Sequence, residues 1–269
     1  MTYSKAVQRQ EFIMDILEKN EDVSTNELAE ILNVSVWTIR RDLNALEERK
    51  VLARFYGGAK QASSRKDACK LTERGSFRAS AAENRSAKKR ISLAAARLLH
   101  PGERVALTGG TTTFEVAKAL KKLRFKGDIV TNALDIALEL SEEPDIHVVC
   151  TGGDVQPRYH TLVGAISERI LKMHYFDAAV IGVSGISLRH GFTVYSQVNA
   201  AALELVAEHS CRTIMVADAS KLGQVSFASL NLSAPIDTFV TDQPLPPEYH
   251  QYFQDLGVNI IIAERTLPE

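Results

Sequence analysis

Residues 34–59 read VSVWTIRRDLNALEERKVLARFYGGA, and their spacing decides what the N-terminal part of the chain is. Val36, Ile39, Leu43 and Leu46 recur at helical intervals, so they form one buried stripe. Ser35 stands just before the stripe, where a hydroxyl can cap the first turn. Trp37, Thr38, Arg41 and Asn44 then point outward, with Arg40 on the flank. The run VLARFYGGA alternates and ends in a double glycine, which reads as a small β-wing.

Working outward, EFIMDILEK places Phe12, Ile13, Ile16 and Leu17 on a helical stripe. STNELAEILN offers Ser24 or Thr25 as an N-cap, a helix opening at Glu27 or Leu28, and Leu28, Ile31 and Leu32 facing inward. Two short helices joined at Asn33–Val34, a third helix before them and a wing after them describe a winged helix-turn-helix. Such a fold sets one helix in a major groove. Amides and Arg meet phosphates, Arg or Asn meets base edges, and Arg54 and Lys60 of the wing reach adjacent backbone. In the competing reading Arg40 and Arg41 pair with Asp42, Glu47 or Glu48 on a solvated face, and Trp37 fills a domain seam.

The charge distribution favours the groove. The formal net charge is only −1. Residues 1–90 carry 18 Lys or Arg against 13 Asp or Glu, and residues 91–269 carry 14 against 20. A basic head and an acidic body suit a protein that meets a polyanion at one end. At 269 residues and 45% apolar, the chain has material for one sizeable core and a smaller second domain. No apolar run approaches the ~18 residues of a membrane span. The first dozen residues lack the apolar core of a secretory signal. Cys69, Cys150 and Cys211 are odd in number and widely spaced, so neither a disulfide framework nor a zinc knot is expected. A cytoplasmic location, no membrane and no cofactor or metal are the corresponding expectations.

Residues 61–84 are polar, basic and aperiodic and read as a linker, with room for a short docking helix. From residue 85 the pattern changes. A helix at SAKKRISLAAARLL precedes strands at RVALTG, GDIVTN, DIHVVCTGG, FDAAVIGVSG, RTIMVADAS, DTFVTD and GVNIIIAE. Helical stretches at 113–123, 133–141, 161–173 and 199–209 lie between several of them. The fold class is therefore α/β: a winged-helix head at 1–60, then a mostly parallel sheet covered on both faces at 85–269.

Within the body, LTGGTTTFEVAKAL sets glycines and threonines between a strand and a helix. Free amides, hydroxyls and a helix N-terminus there suit a phosphate. The loop lacks the Lys-Ser/Thr of a nucleotide P-loop and does not match a dinucleotide fingerprint. Loops at the C-terminal ends of parallel strands share a rim, which brings Asp218 and Lys221 toward the same place.

VSTNELAEILNVSVWTIRRDLNALEERKVLARFYGGA resembles the DNA-binding signature of the DeoR family of bacterial transcriptional regulators. The resemblance anchors Ser35, Thr38, Arg40, Arg41, Arg54 and Gly57–Gly58, and it extends over nearly the whole chain. It implies an effector domain similar in fold to ribose-5-phosphate isomerase, sensing a phosphorylated sugar that weakens binding to double-stranded operator DNA. It further implies a homo-oligomer, dimer or tetramer, and a repressor of carbohydrate catabolism. The effector residues it implies are Gly110, Thr111, Thr112, Thr131, Asn132, Gly152, Gly153, Asp218 and Lys221.

Four departures stand out. Lys50 occupies a usual glycine, and Tyr56, which is retained as a DNA contact, occupies a usual histidine. Thr108 replaces a common Asp at the rim of the effector loop. VYSQVNAAALEL replaces a stretch that usually carries an acidic and then a basic residue. A hydroxyl at Thr108 can hold a sugar oxygen but is no base near neutral pH. That tells against an enzyme acting on a sugar phosphate, for which Asp135, Glu204 and Asp218 are the remaining candidate bases; His160 and His174 read as polar rim residues. A purely architectural DNA-packing protein would leave the acidic body without a role.

Overall fold

The computed structural model describes residues 9–10, 12–13, 16, 23–48, 52–55, 58–61, 70–71 and 77–264. The chain divides into two compact units, Met1–Lys70 and Leu71–Glu269.

In the first unit, helix α1 (Thr25–Ile31) begins earlier than expected, because Ser24 and Glu27 form a complete capping box. Leu28 and Ala29 are buried, whereas Ile31 is exposed at the last turn and Leu32 is partly buried. Helix α2 (Val36–Glu48) buries Ile39, Leu43 and Leu46, with Val36 partly buried at its start. Ile13 completes this core; Phe12 is exposed, and Leu17 lies outside the described residues. Strand β1 (Val23–Ser24) pairs antiparallel with β3 (Gly58–Gln61), which pairs with β2 (Leu52–Phe55) from Leu52↔Gln61 to Phe55↔Gly58. The last two strands are the wing.

Asp42 is buried on the inner side of α2, and its carboxylate is held by the Arg9 guanidinium. It is therefore engaged inside the head rather than paired with Arg40 or Arg41 on the surface. The pairing holds the Arg9 guanidinium above its ordinary value, chiefly through the hydrogen bond to Asp42.

The second unit is built on seven parallel strands, β4 (Arg104–Leu107), β5 (Gly127–Thr131), β6 (Ile146–Cys150), β7 (Ala178–Gly182), β8 (Thr213–Val216), β9 (Thr238–Thr241) and β10 (Asn259–Ile262). Their order is β10-β9-β8-β7-β4-β5-β6. All seven sequence-predicted strands are present. Alternate residues serve opposite layers. Val105, Leu107, Val180 and Ile214 enter one core, and Ala106, Ala179, Ile181 and Met215 the other.

Helices α4 (Arg85–Ala96), α5 (Thr111–Lys122) and α6 (Leu134–Leu140) cover the first layer. Helices α7 (Ala165–Lys172), α8 (Gln197–Glu208) and α9 (Pro247–Asp255) cover the second. A short helix, α3 (Phe77–Ala82), precedes α4 within the segment read as linker. The helix expected over 161–173 begins only at Ala165. Thr161–Val163 instead pairs antiparallel with Asp154–Gln156 in a two-stranded ribbon. A further small antiparallel sheet contains Gly185–Ser187, Gly191–Val194 and Ala228–Ser229. Among the described residues no helix is long and apolar enough to cross a membrane.

The central strand pair β4–β7 is clamped at its N-terminal end. Arg104 forks onto Asp177 through Nε and a terminal nitrogen at 3.0 and 2.8 Å, while its own amide donates to the same carboxylate at 2.9 Å. These bonds pull the Asp177 carboxyl from its ordinary 3.8 down to about 2.

Two predictions follow from these pairs. Arg9→Leu leaves Asp42 buried without its cation and should destabilise the head by about 3 kcal/mol, with Arg9→Leu/Asp42→Leu recovering much of the loss. Trp37, the sole tryptophan, reports that transition by fluorescence. Asp177 binds protons more weakly folded than unfolded, so its stabilisation is present above about pH 3.8 and fades as pH falls toward 2. Thermal melts of Asp177→Asn and the parent chain should differ at pH 7 and converge across that window.

Candidate functional site

Two constellations stand out, one on each unit. On the head, the Ser35 hydroxyl accepts from the Thr38 amide at 3.2 Å and shares a hydrogen bond with the Thr38 hydroxyl at 2.8 Å. That caps α2 and turns its N-terminal face outward. Trp37 is 68% exposed, and Arg40, Arg41 and Asn44 are exposed beside it. The Arg41 guanidinium lies over the Trp37 ring, 5.4 Å from its centroid, so the stack holds the cation at the surface. Arg54 and Lys60 lie on β2 and β3, at backbone positions flanking the wing turn, while Tyr56 lies outside the described residues.

On the body, the connections leaving β4 and β7 run to opposite sides of the sheet. The parallel sheet therefore opens a crevice beyond the C-terminal ends of these adjacent strands. A pocket of about 110 Å³ occupies it, lined by Gly109–Thr113 after β4 and by Gly182–Ser184 at the end of β7. Helix α5 starts in its wall at Gly110, which provides no side-chain cap, so the amides of the first turn stay available to an anion. Gly109 is required by close approach: a Cβ there would lie 2.2 Å from the Thr161 methyl group.

Lys88 is the most informative wall residue. It is 2% exposed, yet it lines the pocket from α4. It donates to the Ser80 carbonyl and to the Glu83 carbonyl, the latter at 2.7 Å. An ammonium has three N–H donors, so one remains for a bound group. Burial pushes the Lys88 ammonium below its ordinary value; Asp218 opposes that shift, and the Lys221 charge adds to it. Lys221 also lines the pocket. Two cations and a helix N-terminus meet, and none of the described residues lining the pocket carries a carboxylate.

The sequence-predicted effector residues divide into wall and frame. Gly110, Thr111, Thr112 and Lys221 line the pocket. Thr108 lies behind it, donating its hydroxyl to the Val180 carbonyl at 3.2 Å. The Thr131 hydroxyl accepts from the Ala133 amide at 3.1 Å. Asn132 accepts from the Gly109 amide at 3.1 Å and donates to the Leu162 carbonyl at 3.2 Å, tying three segments together. Gly152 and Gly153 have φ of +62° and +117°, and they shape the turn before the 154–163 ribbon. Asp218 is buried and accepts from the Asn84 side chain at 3.0 Å and the Ser220 amide at 3.1 Å, bracing the segment that carries Lys221.

The other candidate bases are likewise engaged. Asp135 lies 2.7 Å from His160 Nδ1, and Glu204 accepts from the Asn231 amide at 2.7 Å. His174 Nδ1 lies 2.8 Å from the Ile170 carbonyl. Wall residues not named as candidates from sequence include Phe77, Lys88 and Tyr159, together with Tyr195, Asn199 and Leu203 from the departing stretch VYSQVNAAALEL. Lys88 does carry a sequence signal, because it shares the helical face of Ile91, Ser92 and Ala95, where a solvated lysine does not belong.

Comparison with known proteins adds the lineage. Residues 9–65 match the family described as the DeoR-like helix-turn-helix domain, and residues 83–243 the DeoR C terminal sensor domain. The HTH-type transcriptional regulator GlpR of Haloferax volcanii is 32% identical, the match covering 94% of this chain and 96% of that one. The HTH-type transcriptional regulator GolR of Listeria innocua is 29% identical over 96% and 98%. The glycerol-3-phosphate regulon repressor of Escherichia coli is 29% identical over 95% and 98%. Among solved structures, ribose 5-phosphate isomerase A of Methanocaldococcus jannaschii aligns over 52% of this chain and 55% of that one. Its identity is 14% and its TM-score 0.38, too distant to carry a functional argument. The helix-turn-helix head, the sensor-type body and the full-length relatives agree: the chain belongs to the DeoR family of DNA-binding transcriptional regulators.

Proposed function

We propose that this regulator is a repressor of a carbohydrate catabolic operon, released from its operator by a phosphorylated sugar held in the body pocket. The observation that carries the reading is the buried, pocket-facing Lys88 beside the open N-terminus of α5. A desolvated ammonium with a spare donor is stabilised by an anion, and a phosphate also accepts from the helix amides. The relatives' names, which include a glycerol-3-phosphate regulon repressor, support the same class of ligand.

The pocket also favours sensing over catalysis. Proton abstraction from a sugar phosphate needs a base within hydrogen-bond reach of the substrate. None of the described residues lining the pocket is a carboxylate.

In the mechanism, paired heads of a homo-oligomer occupy inverted half-sites. Trp37, Thr38, Arg40, Arg41 and Asn44 supply the groove-facing surface, and Arg54, Tyr56 and Lys60 supply wing contacts. The ligand binds more tightly to the arrangement in which the heads no longer match the operator, which shifts the population away from DNA. A cytoplasmic location follows from the role.

Two measurements test this reading. Titrating the chain against fragments of its own upstream DNA, at two salt concentrations and with competitor DNA, should reveal tight, competitor-resistant binding. Arg41→Ala should remove about 1–3 kcal/mol of discrimination between operator and unrelated sequence. Binding that is steeply salt-dependent and indifferent to sequence would mean phosphate attraction alone. In the second, Lys88→Met should retain operator binding while weakening the response to an active sugar phosphate by about 10–100-fold, the scale of one lost hydrogen bond to a charged group. A variant that responds as the parent does would remove Lys88 from the effector site.

A further inference from the structure

The pocket is assembled from two layers of the fold with different chemistry. Lys88 on α4 and the first turn of α5 come from helices packed on one face of the sheet. Asn199 and Leu203 come from α8, packed on the other face. They are one helical turn apart and therefore share a side of α8. The Asn199 Oδ1 is buried and has no hydrogen-bond partner among the described residues. A buried, unpaired carbonyl oxygen is unfavourable unless a ligand donates to it. Leu203 beside it offers no polar group at all. Val194, which precedes α8, extends the apolar surface.

Resting on the reading that the pocket takes a phosphorylated effector, we infer that the Asn199–Leu203 wall selects the effector's unphosphorylated end. That end is uncharged and presents a hydroxyl to the Asn199 amide. A carboxylate or ammonium placed there would lose its water against an amide and a leucine, with no countercharge on that wall. Discrimination by one buried amide is strong, because the wrong ligand leaves both the amide and its own polar group unpaired. Asn199 is thus a specificity residue: it reads the carbon skeleton, while Lys88 and α5 read the phosphate.

The test is calorimetric titration of the full chain with four probes: inorganic phosphate, glucose 6-phosphate, 6-phosphogluconate and glucosamine 6-phosphate. The three sugar derivatives share six carbons and one phosphate and differ in an added acid or amine. Glucose 6-phosphate should bind tighter than its acidic and amino counterparts. Asn199→Leu should weaken glucose 6-phosphate by roughly tenfold, the scale of one hydrogen bond with a buried partner, and leave inorganic phosphate within about twofold. Asn199→Ser, which keeps an acceptor, should recover part of the loss, and Asn199→Asp should move preference toward the amine. Thermal melts of each variant exclude misfolding as the cause.

Equal or better binding of the acid or amine by the parent chain overturns the inference. So does an Asn199→Leu effect of the same size on inorganic phosphate, which marks a structural role. Binding of inorganic phosphate with exclusion of every sugar derivative also overturns it, while leaving the anion pocket standing. If none of the four probes binds, the phosphorylated-effector reading fails first and the inference falls with it.

Discussion

The body depends on one pair of neighbouring strands. β4 and β7 lie side by side, yet the chain leaves them toward opposite edges of the sheet. At their C-terminal ends the diverging connections open a crevice; at their N-terminal ends Arg104 and Asp177 fasten the pair with a fork and a main-chain bond. A crevice between strands that slid past each other would not hold its amides in position. The clamp supplies that fixity at the end of the pair away from the ligand. Electrostatic stabilisation of an anion depends on donors that need not reorganise, so on the proposed reading rigidity below the pocket serves the chemistry above.

Lys88 makes the same point from the charge side. An ammonium at 2% exposure is unfavourable, and two carbonyls with a nearby carboxylate offset only part of that. Beyond these two carbonyls the ammonium keeps a third donor, and Lys88 lines the cavity. On the proposed reading, an anion bound there offsets the cost of burying that charge as well as forming new bonds. In the proposed mechanism that gain is the source of the differential free energy a small ligand needs to shift a conformational equilibrium. The head uses the opposite arrangement. Asp42 is satisfied internally by Arg9, so Arg41 stays outside, stacked on Trp37 and available to a polyanion.

The fold was legible where periodicity was strong and local. All seven sheet strands are short apolar runs between turn residues, and α2 announced itself through Ile39, Leu43 and Leu46. The failures came where tertiary pairing overrode the local pattern. Thr161–Val163 looked like the first turn of α7 because a brief apolar run has no period of its own, and only its pairing with 154–156 makes it strand. Ile31 looked inward on spacing, but it occupies the final residue of α1 and is 61% exposed. α9 was not read at all, since PEYHQYFQD is polar and commits only Tyr249 and Phe253 to the core.

Of the residues lining the candidate pocket, sequence named only the glycine–threonine loop and Lys221. Thr108, Thr131 and Asn132 sit in the same neighbourhood, yet they spend their polar atoms on the frame, as does Asp218 through Oδ1, while its Oδ2 is buried without a hydrogen-bond partner among the described residues. Sequence spacing cannot separate a hydroxyl that faces a cavity from one that faces a carbonyl behind it. The stretch VYSQVNAAALEL stood out in sequence as a departure, but which of its residues face the cavity did not: the places of Asn199 and Leu203 depend on the helices across the sheet. One layer supplies charge and the other withholds it. On the proposed reading, the elements that hold the anion are fixed by the strand order and call for a phosphate-like end. α8 lies on the opposite layer, so in the inference drawn above a change of two side chains on one helical face would retune which carbon skeleton is read while the phosphate contacts and the sheet beneath them stay the same.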